Sequence, residues 1–316
     1  MNVTLSDLRE ANIFYENSVK RRKVVLVTGA SVGLGLELAK QLIEGDEFFL
    51  VLTGRETSSL RFKNEGIFSS KNILLREMDI QDKTQINQLM EEIHQQLGGV
   101  DVLINNAGIS ERSTVEDSSK RNRQHQLDVN YLAPFELIAQ VLPRMRENRS
   151  GQIINISSVG GFMAMPTMSA YSASKFALEA ASESLWYEMK PWGIHVTLVI
   201  PGFINSLGHL NTTGTAGSRI SEGDSNEAYF EHYKNMNSLV GRFMRGTIAT
   251  NESIAKQIAK LLKDKNPPLR VNVTFDAKLF YWLRKILPPG VYHYILYKLL
   301  PNISTWGATD YKKRIK

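Results

Sequence analysis

The chain has no cysteine among its 316 residues. Disulfides, thiolate metal centres and cysteine nucleophiles are therefore excluded. Its histidines (His94, His125, His195, His209, His232 and His293) form no ligand-spaced pair, so no metal site is expected. The N-terminal segment MNVTLSDLREANIFYENSVKRRK has no apolar core of the secretory type, and a reducing, cytoplasmic setting is expected. A G-x-x-x-x-G-K-[ST] phosphate loop is also missing, which disfavours P-loop kinases and NTPases.

What the chain does have is an ordinary globular balance, 42% hydrophobic and 22% charged residues, with a net charge of +6. Basic residues cluster at 20–23 and in the closing YKKRIK. No nucleic-acid-binding motif accompanies them, so the partners expected are solvent or an anionic membrane surface, not nucleic acid.

Short β-branched runs alternate with helical periodicity from residue 23 onward. KVVLVTG, FFLVLTGR, NILLREMDI, DVLINNAG, QIINISS and IHVTLVIPG read as six strands, and LRVNVTF (269–275) as a seventh. Helical patterns fill 33–44, 82–97, 118–148 and 169–190, the second through Ile86, Leu89, Met90, Ile93 and Leu97. Strands apolar on both faces, each followed by a helix, predict an α/β, doubly wound parallel sheet covered on both sides. Ligands bind such sheets beyond the carboxyl ends of the strands. The expected organisation is an N-terminal extension (1–22), the α/β domain (23–275) and a C-terminal apolar and basic extension (276–316). The polar stretch 205–250 leaves the ligand edge and reads as a substrate lid. In the tail, AKLFYWLRKIL and VYHYILYKLL flank a Pro-Pro-Gly break. Each is too short for the ~20 residues of a bilayer span. They suit helical arms packed on the protein or lying in a membrane interface.

TGASVGLG (28–35) runs from the first strand into a helix. Gly29, Gly33 and Gly35 permit a tight turn and close approach of backbone to a pyrophosphate, with Thr28, Ser31 and Leu34 in the same loop. The second strand ends Thr53-Gly54-Arg55 with no acid before the arginine. A carboxylate there would bind ribose hydroxyls and repel a 2′-phosphate, whereas Arg55 can pair with one, so NADP(H) is expected over NAD(H). NNAG (105–108) presents Asn106, Ala107 and Gly108 beside the cofactor. Asp79 follows the third strand, as an adenine contact or as a cap of the next helix.

Ser158 stands thirteen residues before Tyr171, and Lys175 four after it. Tyr171 and Lys175 share a helix face. The Lys175 ammonium is expected to lower the phenol pKa from about 10 and so create a general acid/base. Ser172-x-x-Lys175 also fits the S-x-x-K pattern of penicillin-recognising enzymes, but their companion K-T-G and S-D-N elements are missing.

These motifs, in this order and spacing, resemble the short-chain dehydrogenase/reductase family over residues 23 to 275. The resemblance implies Tyr171 as proton donor or acceptor, Lys175 as ribose-binding and tuning residue, and Ser158 as the group orienting the substrate oxygen. It further implies Asn130 (in LDVNYLAP) in a proton relay, Asp79 at the adenine, Pro201-Gly202 at the nicotinamide pocket, and Ser206 in place of the usual threonine. Val32 stands where many NADP-using members carry a second basic residue, leaving the NADP preference to Arg55. The lid and tail are similar to the estradiol 17-beta-dehydrogenase and retinol dehydrogenase-like branch, which implies a lipophilic alcohol or carbonyl substrate. A homodimer through the helices near 118–148 and 169–190 is implied as well. A non-catalytic NADP(H)-binding regulator and a membrane-associated scaffold are the alternatives; the intact Asn130, Ser158, Tyr171 and Lys175 set argues against the first.

Overall fold

A computed structural model describes residues 21–205 and 212–307. In chain order the elements are β1 (Lys23–Val27), α1 (Gly33–Gly45), β2 (Phe48–Gly54), α2 (Ser58–Asn64), β3 (Ile73–Glu77), α3 (Lys83–Leu97), β4 (Val102–Asn105) and β5 (Ser110–Arg112). Helix α4 (Lys120–Leu127) passes through a π turn (Asp128–Leu132) into α5 (Ala133–Glu147). Next come β6 (Gly151–Ile156), α6 (Ser169–Met189), β7 (Ile194–Ile200), β8 (Thr212–Gly214), α7 (Ala216–Gly223), α8 (Phe230–Gly246), α9 (Asn251–Leu261), β9 (Arg270–Asn272), α10 (Phe275–Ile286) and α11 (Pro289–Leu299).

Seven strands form one sheet in the order β3-β2-β1-β4-β6-β7-β9. Every pairing in it is parallel. The alternation of side chains explains why these strands read as unbroken apolar runs. In β1, Val24 and Leu26 enter one core with Ile86, Ile93 and Leu137, while Val25 and Val27 enter the other with Leu38, Phe62 and Ile258. The doubly wound α/β architecture is therefore present. The chain order reverses between β1 and β4, and the crevice at that switch point holds the site.

Three details differ from the sequence reading. The helix expected over 118–148 is interrupted by the π turn at Asp128–Leu132. The last strand covers only Arg270–Asn272, because Thr274 accepts the Ala277 N–H and starts α10. The stretch read as a polar lid is largely helical, as α7 and α8, and its β8 pairs in parallel with β5 in a second, two-stranded sheet.

Candidate active site

The first turn of the site is built by crowding. Gly29 has φ +63°, and a Cβ on it would lie 2.8 Å from the Ala107 Cα. A Cβ on Gly35 would lie 2.2 Å from the Gly29 carbonyl oxygen. Only glycine lets strand, turn and helix close this tightly. Helix α1 then begins after Val32, which gives it no side-chain cap, and has no acid in its first turn, so its N-terminal N–H groups and positive dipole end face the crevice. Those features fit a dinucleotide pyrophosphate.

The NNAG segment also braces the strand ends. The Asn106 amide donates to the Thr28 and Gly29 carbonyls, both at 3.0 Å, and so braces the glycine turn. Thr28, buried, accepts the N–H groups of Asn106 and Ala107 at 3.1 and 3.0 Å. Asn105 and Asn155 join β4 to β6 through a 2.8 Å bond, and Asn155 continues to Ser182 of α6. The segment is thus a clamp as well as a wall.

A cavity of about 440 Å³ runs along this edge. Gly29, Ser31, Gly33, Leu34 and Gly35 line one end, and Arg55 with Asp79 stands at its margin. Asn106, Ala107 and Gly108 form the middle, and Ser158, Tyr171 and Gly202 the far end. Thr28, Asn130, Lys175 and Pro201 stand behind the wall, all buried. Ser206 lies outside the described residues. Asp79 does not cap α3; that role belongs to Asp82, which accepts the Thr84 and Gln85 N–H groups, while Asp79 accepts the Gln81 N–H at 2.9 Å.

At the far end, Ser158 caps the short 3-10 turn Val159–Gly161, accepting the Gly160 N–H at 3.1 Å. Its hydroxyl stands beside the Tyr171 phenol and lowers the phenol's pKa. One turn along α6, Lys175 donates to the Ile156 carbonyl at 2.8 Å. Burial pulls the Lys175 pKa down to about 8, opposed by the Glu179 carboxylate. The expected lowering of the Tyr171 pKa by Lys175 is not met in this geometry. Tyr171 is half-buried at the cavity wall. Burial raises its pKa, and only the Ser158 hydroxyl pulls the other way.

Asn130 sits in the π turn and ties three elements together. Its Oδ1 accepts the Ile109 N–H, and its amide donates to the Ile109 carbonyl and the Ser174 hydroxyl, each at 2.9 Å. A π turn realigns one residue of a helix, and here it brings this amide onto the strand-end backbone.

Several residues at the site escaped the sequence reading. Arg61, six residues beyond Arg55 on α2, also lines the cavity and supplies a second cation. Glu179 is buried one turn beyond Lys175, paired with Arg270 of β9 at 3.1 Å. The i, i+4, i+8 series Tyr171, Lys175, Glu179 was its signal. Met165, Met168, Val240 and Met244 make the far end apolar, and Arg112 is the cation there, donating to Asn237 of α8. Among the described residues no cluster of candidate metal ligands occurs.

Comparison with known proteins agrees with this geometry. Residues 23–213 match the family described as short chain dehydrogenase. "Dehydrogenase/reductase SDR family member 7B" of Xenopus tropicalis is 39% identical over 215 residues, covering 65% of this chain and 68% of that protein. "3-ketodihydrosphingosine reductase" of Bacteroides thetaiotaomicron is 32% identical over 276 residues, 87% of this chain and 96% of that one. Among solved structures, a short-chain dehydrogenase from Streptomyces avermitilis superposes with a TM-score of 0.73 at 28% identity, covering 89% of this chain and 96% of its own. The chain belongs to the short-chain dehydrogenase/reductase family of NAD(P)-binding oxidoreductases.

Proposed function

We propose that the protein is an NADP(H)-dependent reductase of a lipophilic ketone or aldehyde, with Tyr171 as the general acid. The observation that carries this reading is the convergence of Tyr171 and Ser158 on one apolar end of the cavity, with Lys175 one turn along α6 from the phenol. The relative named 3-ketodihydrosphingosine reductase supports reading the reaction in the direction of carbonyl reduction.

The bound nicotinamide supplies the hydride. Ser158 and Tyr171 donate hydrogen bonds to the carbonyl oxygen, and the Tyr171 proton passes to that oxygen as its charge develops. Lys175, with two donors beyond the one given to Ile156, holds the cofactor ribose beside Tyr171. The Gly29–Gly35 turn takes the pyrophosphate, Asp79 the adenine, and Pro201-Gly202 borders the nicotinamide. Arg55 and Arg61 take the 2′-phosphate by charge-assisted hydrogen bonds. Helices α7 and α8 form the lid, placing Val240 and Met244 against the substrate. The relative named 3-ketodihydrosphingosine reductase supports a long-chain ketone as the substrate class. The family resemblance supports a homodimer through α5 and α6.

The test is turnover of Tyr171→Phe against a panel of lipophilic carbonyls. The rate is expected to fall on the order of a thousandfold, within the range of general acid catalysis. NADPH binding should persist, since the ring is kept. A variant that turns over like the parent sinks the assignment.

A further inference from the structure

The C-terminal helices present a surface that the site does not use. Along α10, Phe275, Leu279, Trp282 and Ile286 recur at i, i+4, i+7 and i+11, forming one stripe. All four face solvent, with Phe275 77%, Trp282 55% and Ile286 71% exposed. On α11, Val291, Tyr294, Tyr297 and Leu299 are exposed too. The opposite sides of both helices are occupied. Phe280, Leu283, Leu287, Tyr292 and Leu296 pack with Val159 and Met163, so the outer stripe is not a misplaced core face.

The charges on this surface have one sign. Asp276 is the one acid in the sequence of α10 and α11, and its carboxylate is turned to the Phe203 N–H at 2.8 Å. Arg284 is turned inward as well, donating to the Phe162 carbonyl. Lys278, Lys285 and Lys298 remain exposed. Lys285 lies 5.5 Å over the Trp282 ring and Lys298 lies 5.6 Å over the Tyr294 ring. Aromatic rings under lysine heads suit the boundary between acyl chains and headgroups. Among the described residues no helix is long and apolar enough to cross a membrane. At ~1.5 Å per residue, α10 is roughly 18 Å long.

We infer that the α10–α11 surface docks onto an anionic phospholipid bilayer, lying in its interface through the Phe275–Leu279–Trp282–Ile286 stripe with Lys278, Lys285 and Lys298 on the headgroups. A second copy of the chain is a poor occupant, since a two-fold contact brings the same three lysines onto one another. The surface is joined firmly to the active-site cavity. Thr274 accepts the Gly202 N–H at 2.9 Å, and the inner sides of the two helices pack against Met165, a cavity residue. The docking rests on the lipophilic-substrate reading for its purpose only, and its test does not read turnover.

Flotation of the full chain is measured with vesicles of phosphatidylcholine alone and of phosphatidylcholine mixed with phosphatidylserine. The parent protein should float with the mixed vesicles and much less with the neutral ones. The triple change Leu279→Ser, Trp282→Ser, Ile286→Ser should weaken partition at least about tenfold, since each side chain loses apolar burial. Changing Lys278, Lys285 and Lys298 to Gln should lose about fivefold per charge on anionic vesicles only. Both variants should keep NADPH binding and the parent's thermal unfolding, which reports that they are folded. Failure of the parent to float, or equal flotation of parent and variants, overturns the proposal. So does a stripe variant whose altered property is oligomeric mass with flotation unchanged.

Discussion

At the residue scale, the site is governed by how far each ionisable group is taken out of water. Lys175 is the most exposed to this logic, because its charge is carried only below about 8. Its folded pKa is lower than its ordinary value, so the ammonium is present at neutral pH and lost as pH rises through that value. Reductive turnover should be flat near neutrality and fall on the alkaline side as Lys175 deprotonates. Glu179 supports the ammonium, so Glu179→Gln should move that fall to lower pH, read from a kcat/KM profile. A profile that stays in place removes Glu179 from this role. The two arginines give a separate prediction. Arg55→Ala with Arg61→Ala should cut the preference for NADPH over NADH by at least about a hundredfold, as the loss of two charged hydrogen bonds at ~1.5–3 kcal/mol each implies. Measured binding constants for both cofactors check it.

Much of the residue pattern was legible in the sequence. Gly29, Gly35, Ser158, Tyr171 and Lys175 could be found because a local turn or a helix repeat fixes their spacing. Arg61 and Glu179 were harder to see. Their roles depend on which neighbours a fold brings near, and Arg270 stands 91 positions from its Glu179 partner. Even the Tyr171 pKa argument needed the structure. Spacing put Lys175 on the same face, but burial decides the sign.

At the element scale, the strands were readable because a sheet buried on both faces demands continuous apolar runs. The π turn was not, because helical periodicity continues on either side of it. Its value lies in the Asn130 bonds. Asn130→Ala leaves the Ile109 backbone groups and the Ser174 hydroxyl short of partners and should destabilise the protein by about 2–4 kcal/mol, measured by denaturant unfolding. Helices α7 and α8 also escaped notice, since they carry many polar residues. Their anchor is Tyr233, fully buried, whose hydroxyl accepts the Thr114 N–H at 2.8 Å and donates to Asp117 at 2.7 Å. Tyr233→Phe breaks both bonds without changing the ring. It should raise KM for bulky substrates more than for small ones, while kcat with a small carbonyl stays near that of the parent.

At the scale of the whole molecule, the switch between β1 and β4 gathers residues scattered from 29 to 202 onto one edge. The dimer reading belongs here. Tyr187 of α6 and Leu132 of the π turn are exposed on the helices that would pair. Light scattering should give twice the mass of one chain, and Tyr187→Glu should lower it. A parent protein of single-chain mass defeats the dimer reading.

The bonds from Thr274 and Asp276 to the Gly202–Phe203 backbone also set where the chain can be cut. A protease or stop codon acting before residue 274 strips two backbone N–H groups of their acceptors at the cavity rim. A cut beyond the first turn of α10 keeps them. Limited digestion that trims the arm back to that turn should therefore leave a core that still binds its cofactor, whereas a shorter core should lose the rim together with the tail.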